Sequence, residues 1–331
     1  MSKNEKSRVK AVALFSGGLD SILAVKLIQE QNVDVAGLTF TTPFFSAYKA
    51  LTAARYIGLN LHIMDITDEH LEMLKAPRYG YGRNLNPCID CHTLMLKKAG
   101  EKMHEWGASF IFTGEVLGQR PMSQTRQSLH IVAKNSGYGP YILRPLSAKR
   151  LSATLPEELG NVDRDGLLNI QGRGRKRQLE LAAHYGITDY GNPSGGCLLT
   201  DPAFSNRLRD LLHHTNMPLR KELELLKVGR HFRLSPKIKV IVGRNKRDNS
   251  EILNLAEDVD AVLNLQAYPG PTTLVPYGGR TDDLIAAASL CILYGDAPKD
   301  EEVAVLCRIG GSLQLLTTHS AKRDTATDWM I

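Results

Sequence analysis

Residues 9–21 read Val9-Lys10-Ala11-Val12-Ala13-Leu14-Phe15-Ser16-Gly17-Gly18-Leu19-Asp20-Ser21. The apolar run from Val9 to Phe15 predicts a short buried strand, and Ile22, Val25, Leu27 and Ile28 then recur at helical spacing. Between strand and helix lies a Ser-Gly-Gly turn. Such a turn presents backbone N–H groups at the positive end of a helix dipole, where a phosphate is stabilised. Gly17 and Gly18 let the backbone approach a phosphate closely, and Ser16 and Ser21 add hydroxyl donors. The Gly-Lys-Ser/Thr ending of a Walker A loop is missing. The purely structural alternative is a tight turn with a capping Ser or Asp.

Working outward, strands are predicted at Val33 to Phe40, Leu59 to Ile66 and Ser109 to Phe112. Helices are predicted around Ala47 to Ile57 and from near Cys91, where Met95, Ala99, Met103 and Trp106 keep to one face. This alternation implies an α/β fold, a doubly wound and mostly parallel sheet with helices on both faces. Ligands then bind beyond the carboxyl ends of the strands, where the Ser-Gly-Gly turn and Thr113-Gly114-Glu115 both fall. Residues 144–200 extend this domain with polar, Gly-rich and basic loops. Composition changes at Pro218, and strands at Lys239 to Val242, Ala261 to Leu265 and Val303 to Arg308 suggest a smaller α+β domain. The expected domains are residues 1–220 and 225–331.

The 331-residue chain is 43% hydrophobic and 23% charged, as expected of a globular protein. It has no apolar run of the ~20 residues that a membrane-spanning helix needs. Its charged start, residues 1–10, does not resemble a secretory signal, so a cytoplasmic location without membrane contact is expected. The net charge of +6 favours a polyanionic partner. Between Arg220 and Asp248, ten Lys or Arg face three Asp or Glu, a local excess of +7. A second basic run, Arg173-Gly174-Arg175-Lys176-Arg177-Gln178, opens a helix, and Arg144 and Lys149 precede it. Basic side chains at this density near an active site suit a nucleic-acid backbone.

Five cysteines argue against a fully paired disulfide framework. Asn86-Pro87-Cys88-Ile89-Asp90-Cys91 puts two thiols at a helix start, where the dipole is expected to favour thiolate. Cys197 follows in Asn192-Pro193-Ser194-Gly195-Gly196-Cys197, another Gly-rich loop. Cys291 and Cys307 sit in apolar stretches and read as core. Zinc held with His92 or His184 is one reading of the first three cysteines; sulfur chemistry is the other.

The hexapeptide Ser16 to Ser21 resembles the signature of the PP-loop (N-type ATP pyrophosphatase) superfamily, over roughly the first 200 residues. That resemblance implies the HUP/adenine nucleotide alpha hydrolase-like fold, and cleavage of ATP between its α- and β-phosphates to adenylate a substrate oxygen. It implies that Ser16, Gly17, Gly18 and Ser21 hold pyrophosphate, that Asp20 positions Mg2+ or a reacting group, and that Thr39 and Phe40 lie near the adenine. With Cys91, Gly114 and Cys197 in place, the chain further resembles the tRNA thiouridine synthases, nearest the tRNA-specific 2-thiouridylase group. Cys88 stands where many of that group have Asp, which brings the pattern closer to thiolases that bind a [4Fe–4S] cluster through three cysteines. In the cluster version Cys88, Cys91 and Cys197 bind three irons and the fourth holds hydrosulfide. In the persulfide version Cys91 or Cys197 carries the sulfur and the other resolves it.

The last hundred or so residues resemble the NFACT-type RNA-binding domain, on Val242-Gly243-Arg244-Asn245, Asp248-Asn249, Asp260 and Tyr268-Pro269-Gly270-Pro271. The function these resemblances imply is an ATP-dependent sulfurtransferase acting on tRNA. Its sulfur donor would be sulfide or a persulfide carrier such as a cysteine desulfurase. The alternatives are sulfur transfer to, or adenylation of, a small-molecule or cofactor precursor, and an RNA-binding protein whose loop only senses nucleotide.

Overall fold

The computed structural model describes residues 8–190 and 196–331. The first seven residues, and residues 192–195 of the loop before Cys197, lie outside the described residues. Two compact units divide at Thr200 and Asp201.

The first unit alternates β1 (Lys10–Leu14), α1 (Leu19–Gln29), β2 (Asp34–Thr41), α2 (Tyr48–Ile57), β3 (Leu61–Asp65), α3 (Thr67–Lys75), α4 (Cys88–Glu105) and β4 (Phe110–Thr113). Then follow α5 (Arg126–Ser136), β5 (Ile142–Leu143), α6 (Leu155–Glu158) and α7 (Lys176–His184). The strand order is β3-β2-β1-β4-β5 and every pairing is parallel. This is the expected doubly wound sheet. Its two faces are packed separately. Ala11, Ala13 and Phe15 meet Ile22, Leu23 and Val25 of α1 on one side, and Val12, Leu38 and Ile111 meet Leu96, Ala99 and Met103 of α4 on the other.

The order reverses between β1 and β4, so their carboxyl ends open a crevice at the switch point. The Ser-Gly-Gly turn leaves β1 into that crevice, and Gly114 leaves β4 beside it. The predicted strands and helices of this unit are all present within one to three residues, except that α4 starts earlier than expected, at Cys88 itself.

The second unit holds α8 (Pro202–His214), α9 (Arg220–Leu225), β6 (Arg230–Ser235), β7 (Ile238–Val242), α10 (Lys246–Leu255), β8 (Ala261–Leu265) and β9 (Thr273–Val275). It closes with α11 (Thr281–Leu293), β10 (Val303–Ile309), β11 (Ser312–Thr318) and α12 (Arg323–Trp329). Its six strands run β11-β10-β8-β9-β7-β6, all antiparallel. Cys291 of α11 and Cys307 of β10 are buried in its core, as the sequence suggested.

The division falls some twenty residues before the boundary read from composition, and the reason is electrostatic. Asp210 of α8 accepts from Arg233 at 3.0 and 2.6 Å and lies 3.6 Å from Lys239, which ties the helix to the β6–β7 hairpin.

That arrangement also corrects the reading of the basic window as an open positive face. Lys221 pairs with Asp260, Lys227 with Glu224, Arg233 and Lys239 with Asp210, and Arg244 with Asp248. Asp210 and Asp260 lie outside the window, so counting charges within it overstated the excess. Lys237, Lys246 and Arg247 remain exposed on this unit. Among the described residues no helix is long and apolar enough to cross a membrane.

Candidate active site

Gly17 sits at φ +73°, and a Cβ there would lie 2.4 Å from the Lys49 carbonyl oxygen. The turn therefore packs directly on the start of α2, and only glycine satisfies both the backbone angle and the space. Ser21 Oγ donates to Gly18 O at 2.8 Å, which closes the first turn of α1 and leaves Ser16 exposed at its mouth. Gly114 approaches as closely from the other side: its Cβ would fall 2.5 Å from Ser21 N. Gly114→Ala should force α1 and β4 apart and destabilise the protein by about 1–3 kcal/mol, as over-packing does. Gly174→Ala, with nothing within 4 Å, should stay within about 0.5 kcal/mol. Urea unfolding midpoints measure both.

Asp20 lies in this first turn. Gln119 Nε2 donates to its Oδ2 at 2.8 Å, and Gln178 Nε2 in turn donates to Gln119 Oε1 at 3.3 Å. Asp20 Oδ1 is buried and, among the described residues, has no hydrogen-bond partner. Burial raises the Asp20 pKa above its usual value, against the pull of the Gln119 hydrogen bond and the charges of Arg175 and Arg120. A carboxylate oxygen in this position, beside a glycine turn at a helix start, fits a divalent cation. Arg175 thus belongs to the interior of the site, while Arg177 of the same basic run pairs with Glu180 on the surface.

Phe40, expected near an adenine, points into the core. Its side chain is buried with Val12, Leu38 and Ile66 in the core, because it shares the inward parity of Leu38 on β2. Thr39 is buried on the opposite face of that strand.

The three cysteines lie near enough to influence one another's charge. Cys88 and Cys91 occupy the first turn of α4, and Asn86 Nδ2 donates to Cys88 Sγ at 3.3 Å. Cys197 opens a short turn fixed by Leu198 N donating to Phe44 O at 2.9 Å and by Asn84 Nδ2 donating to Thr200 O at 2.7 Å. The Cys91 thiol is pushed far up in pKa by burial, then by Cys197, Cys88 and Asp90. Cys197 is raised to about 11, by burial first and with Cys88 adding to it. Burial and the neighbouring Cys197, Cys88 and Asp90 thus work against the thiolate that the helix start was expected to favour.

Among the described residues no three His, Cys, Asp or Glu side chains are arranged to hold a metal ion, and this applies to the expected set of Cys88, Cys91 and Cys197 as much as to zinc. His92 instead donates through Nδ1 to Glu115 at 3.0 Å.

Glu115 was the residue sequence reasoning passed over. It accepts from Arg144 Nε at 2.9 Å and from Thr113 Oγ1 at 3.1 Å as well as from His92, and both Glu115 and Arg144 are buried. Burial alone would raise its pKa, but Arg144 and His92 outweigh it and hold the carboxyl at about 2. Arg144 is thus a buried counter-ion, not the phosphate contact its sequence position suggested. The signal was available in an acidic residue directly after a wholly apolar strand.

With this geometry in place, comparisons with known proteins divide along the same line as the two units. Residues 6–150 match the family described as thiamine biosynthesis protein (ThiI). Over those residues the first unit is similar to the ThiI family. Residues 229–330 match the NFACT protein RNA binding domain. A tRNA-specific 2-thiouridylase from Dehalococcoides mccartyi is 30% identical over 170 residues, which are 45% of this chain and 46% of that protein. A probable tRNA sulfurtransferase from Caldanaerobacter subterraneus is 29% identical over 166 residues, 46% of this chain and 41% of that protein. The chain thus spans less than half the length of these curated relatives. A solved 4-thiouridine synthetase–RNA complex with bound ATP aligns at a TM-score of 0.39 and 22% identity, over 66% of this chain and 52% of that one.

Proposed function

We infer that this protein is an ATP-dependent tRNA sulfurtransferase that adenylates a uridine carbonyl oxygen and replaces it with sulfur. The observation that carries the reading is the glycine turn at the start of α1, where Asp20 keeps a buried oxygen without a hydrogen-bond partner among the described residues; the influence of Cys88 and Cys197 on Cys91 supports it. The names of the matched relatives and the NFACT-type second unit support tRNA as the acceptor.

In this reading the backbone N–H groups of Gly17 and Gly18 and the start of α1 hold the pyrophosphate end of ATP. Asp20 Oδ1 would hold Mg2+, and Arg175 and Arg120 set positive charge toward the same place, where phosphate charge shifts during reaction. The uridine oxygen attacks the α-phosphorus and its bond to pyrophosphate breaks. A sulfur nucleophile then attacks the activated carbon, and the oxygen leaves with AMP.

Three soft thiols fit a [4Fe–4S] cluster, which takes one thiolate per iron and does not ask the sulfurs to share one ion. Cys88, Cys91 and Cys197 would hold it, and when bound it offers an open iron for hydrosulfide. A persulfide relay needs only two of the three, so the third thiol favours the cluster. Sulfide or a persulfide carrier would supply the sulfur.

Mass spectrometry of tRNA nucleosides from a deletion strain tests the function directly. One thiolated uridine should disappear and return on complementation. A full set of thiolated nucleosides in the deletion strain would overturn the reading.

A further inference from the structure

Gln178 is a polar residue in an apolar place. It shares the inward stripe of α7 with Ala182, which packs in the same core as Ile22 and Leu23 of α1, and it is 0% exposed. A buried amide is costly unless both of its ends are bonded. Gln178 Nε2 donates to Gln119 Oε1 at 3.3 Å, and Gln119 Nε2 donates in turn to Asp20 Oδ2 at 2.8 Å. Gln178 also lies close enough to the Asp20 carboxyl to draw its pKa down. The carboxylate sets the direction of this chain, because it only accepts. Gln178 Oε1 is then left over. It is buried and, among the described residues, without a hydrogen-bond partner, as is Asp20 Oδ1.

The backbone fixes the two glutamines relative to each other. Leu117 and Gln171 form a parallel bridge, and Gly172 N donates to Leu117 O at 2.7 Å. Ser147 Oγ accepts from Leu117 N at 3.0 Å and donates to Ile170 O at 2.7 Å. Gly118 sits at φ +77°, and a Cβ there would lie 3.5 Å from Gly172 N. The loop that carries Gln119 and the segment that leads into α7 are therefore laced together. Packing alone does not account for the pair. Methionine would fill the place of Gln178 with no polar atoms to satisfy.

We propose that Gln178 is a positioning residue for the divalent cation of the ATP site: through Gln119 it holds Asp20 Oδ2 and so leaves Oδ1 for the ion. The two oxygens that lack a donor suit a hydrated ion, since Mg2+ gives up its waters reluctantly and those waters donate. This role rests on the reading of Asp20 as the residue that holds Mg2+.

The test uses the full chain with α,β-methylene-ATP, which resists cleavage at that bond, and Mn2+ as the probe ion, followed by electron paramagnetic resonance. Gln178→Met should weaken Mn2+ binding about tenfold, as loss of a supporting hydrogen bond does at a metal site. Binding of the analogue in EDTA should stay within about twofold of wild type, because the glycine turn is untouched. Gln178→Leu, a second apolar filling of the same place, should match Gln178→Met, and thermal midpoints show that both are folded. Gln119→Met should lose at least as much, and the double variant with Gln178→Met no more than Gln119→Met alone, as expected of residues that act as one unit. With ATP, Gln178→Met should raise the Mg2+ concentration for half-maximal pyrophosphate release about tenfold and leave the rate at saturating Mg2+ within about threefold of wild type.

Undiminished Mn2+ binding by Gln178→Met and Gln178→Leu would overturn this role, and so would additive losses in the double variant. Equal weakening of Mn2+ and of the analogue in EDTA would make Gln178 a packing residue and overturn it too. In each of these cases, wild-type protein that binds Mn2+ with the analogue keeps Asp20 as the metal-holding residue. Wild-type protein that binds the analogue but no Mn2+ beside it would remove the reading of Asp20 and the role of Gln178 together.

Discussion

Cys197→Ala is expected to abolish thiolation while leaving ATP-dependent pyrophosphate release intact, whereas Asp20→Asn should lose both. In the proposed reaction the two residues would serve different halves. Cys197 sits in a turn anchored to Phe44 and Asn84, and it and Cys88 raise the pKa of the Cys91 thiol. Removing that sulfur would take away one of the three thiols proposed to hold the cluster but would move nothing in the first turn of α1. Asp20 lies in that turn, with one oxygen held by Gln119 and the other buried without a hydrogen-bond partner among the described residues.

Losing the charge there should slow pyrophosphate release by about a hundred- to a thousandfold, the scale of one preorganised electrostatic contact. Stability should move the other way. Because burial raises the Asp20 pKa above 3.8, its stabilising contribution is full below that pH and is lost as pH rises through the folded value. At neutral pH the buried carboxylate opposes folding, so the thermal midpoint of Asp20→Asn should hold or rise. A fall in both activity and midpoint would mean that Asp20 supports the turn and not the chemistry. Pyrophosphate release, nucleoside analysis and calorimetry on the two variants separate these outcomes. Thiolation by Cys197→Ala would remove Cys197 from the site.

The parallel sheet and the Ser-Gly-Gly turn were legible because strand, turn and helix follow one another directly. A run such as Ala11 to Phe15 is apolar on both faces, and Ser16 to Ser21 follows it without a break. The placing of Cys197 has no local signature, since its turn depends on contacts such as Leu198 with Phe44. The burial of Phe40 follows side-chain parity: the even-numbered side chains of β2 face α4.

Charge was the least legible property. Arg144 looked like a phosphate contact until Glu115 appeared beside it, and the basic window lost half its cations to partners within and outside it. Composition counts charges along the chain, whereas potentials depend on neighbours in space. The second unit hid β6, β9 and β11 for a related reason. Strand β9 has three residues, and β11 is an edge strand with Leu313 and Leu315 exposed, so neither carries the pattern of a half-buried strand.

Glu115→Gln should be the most destabilising single change in the first unit, at about 3–5 kcal/mol, because it strands a buried guanidinium. Arg144 is 6% exposed, and its Nε and Nη2 reach only Glu115 and the Leu129 carbonyl. The carboxyl held at about 2, against an ordinary 4.5, corresponds independently to on the order of 3 kcal/mol. The sign follows from the depressed value. The contribution is fully present above pH 4.5 and is lost as pH falls through the folded value near 2. The gap between wild type and Glu115→Gln in urea midpoint should therefore narrow from about pH 5 to about pH 2.5. A constant gap would mean that packing, not the ion pair, is responsible. Replacing both partners, as in Glu115→Leu with Arg144→Met, should cost less than either single change, since no charge is then left buried alone. Function should not return with stability. Glu115 follows Gly114, which packs on Asp20 and Ser21, so the ion pair sets where β4 ends and hence where the phosphate turn is held. The double variant is expected to fold and still release pyrophosphate slowly, which would place the Glu115–Arg144 pair as support for the ATP site.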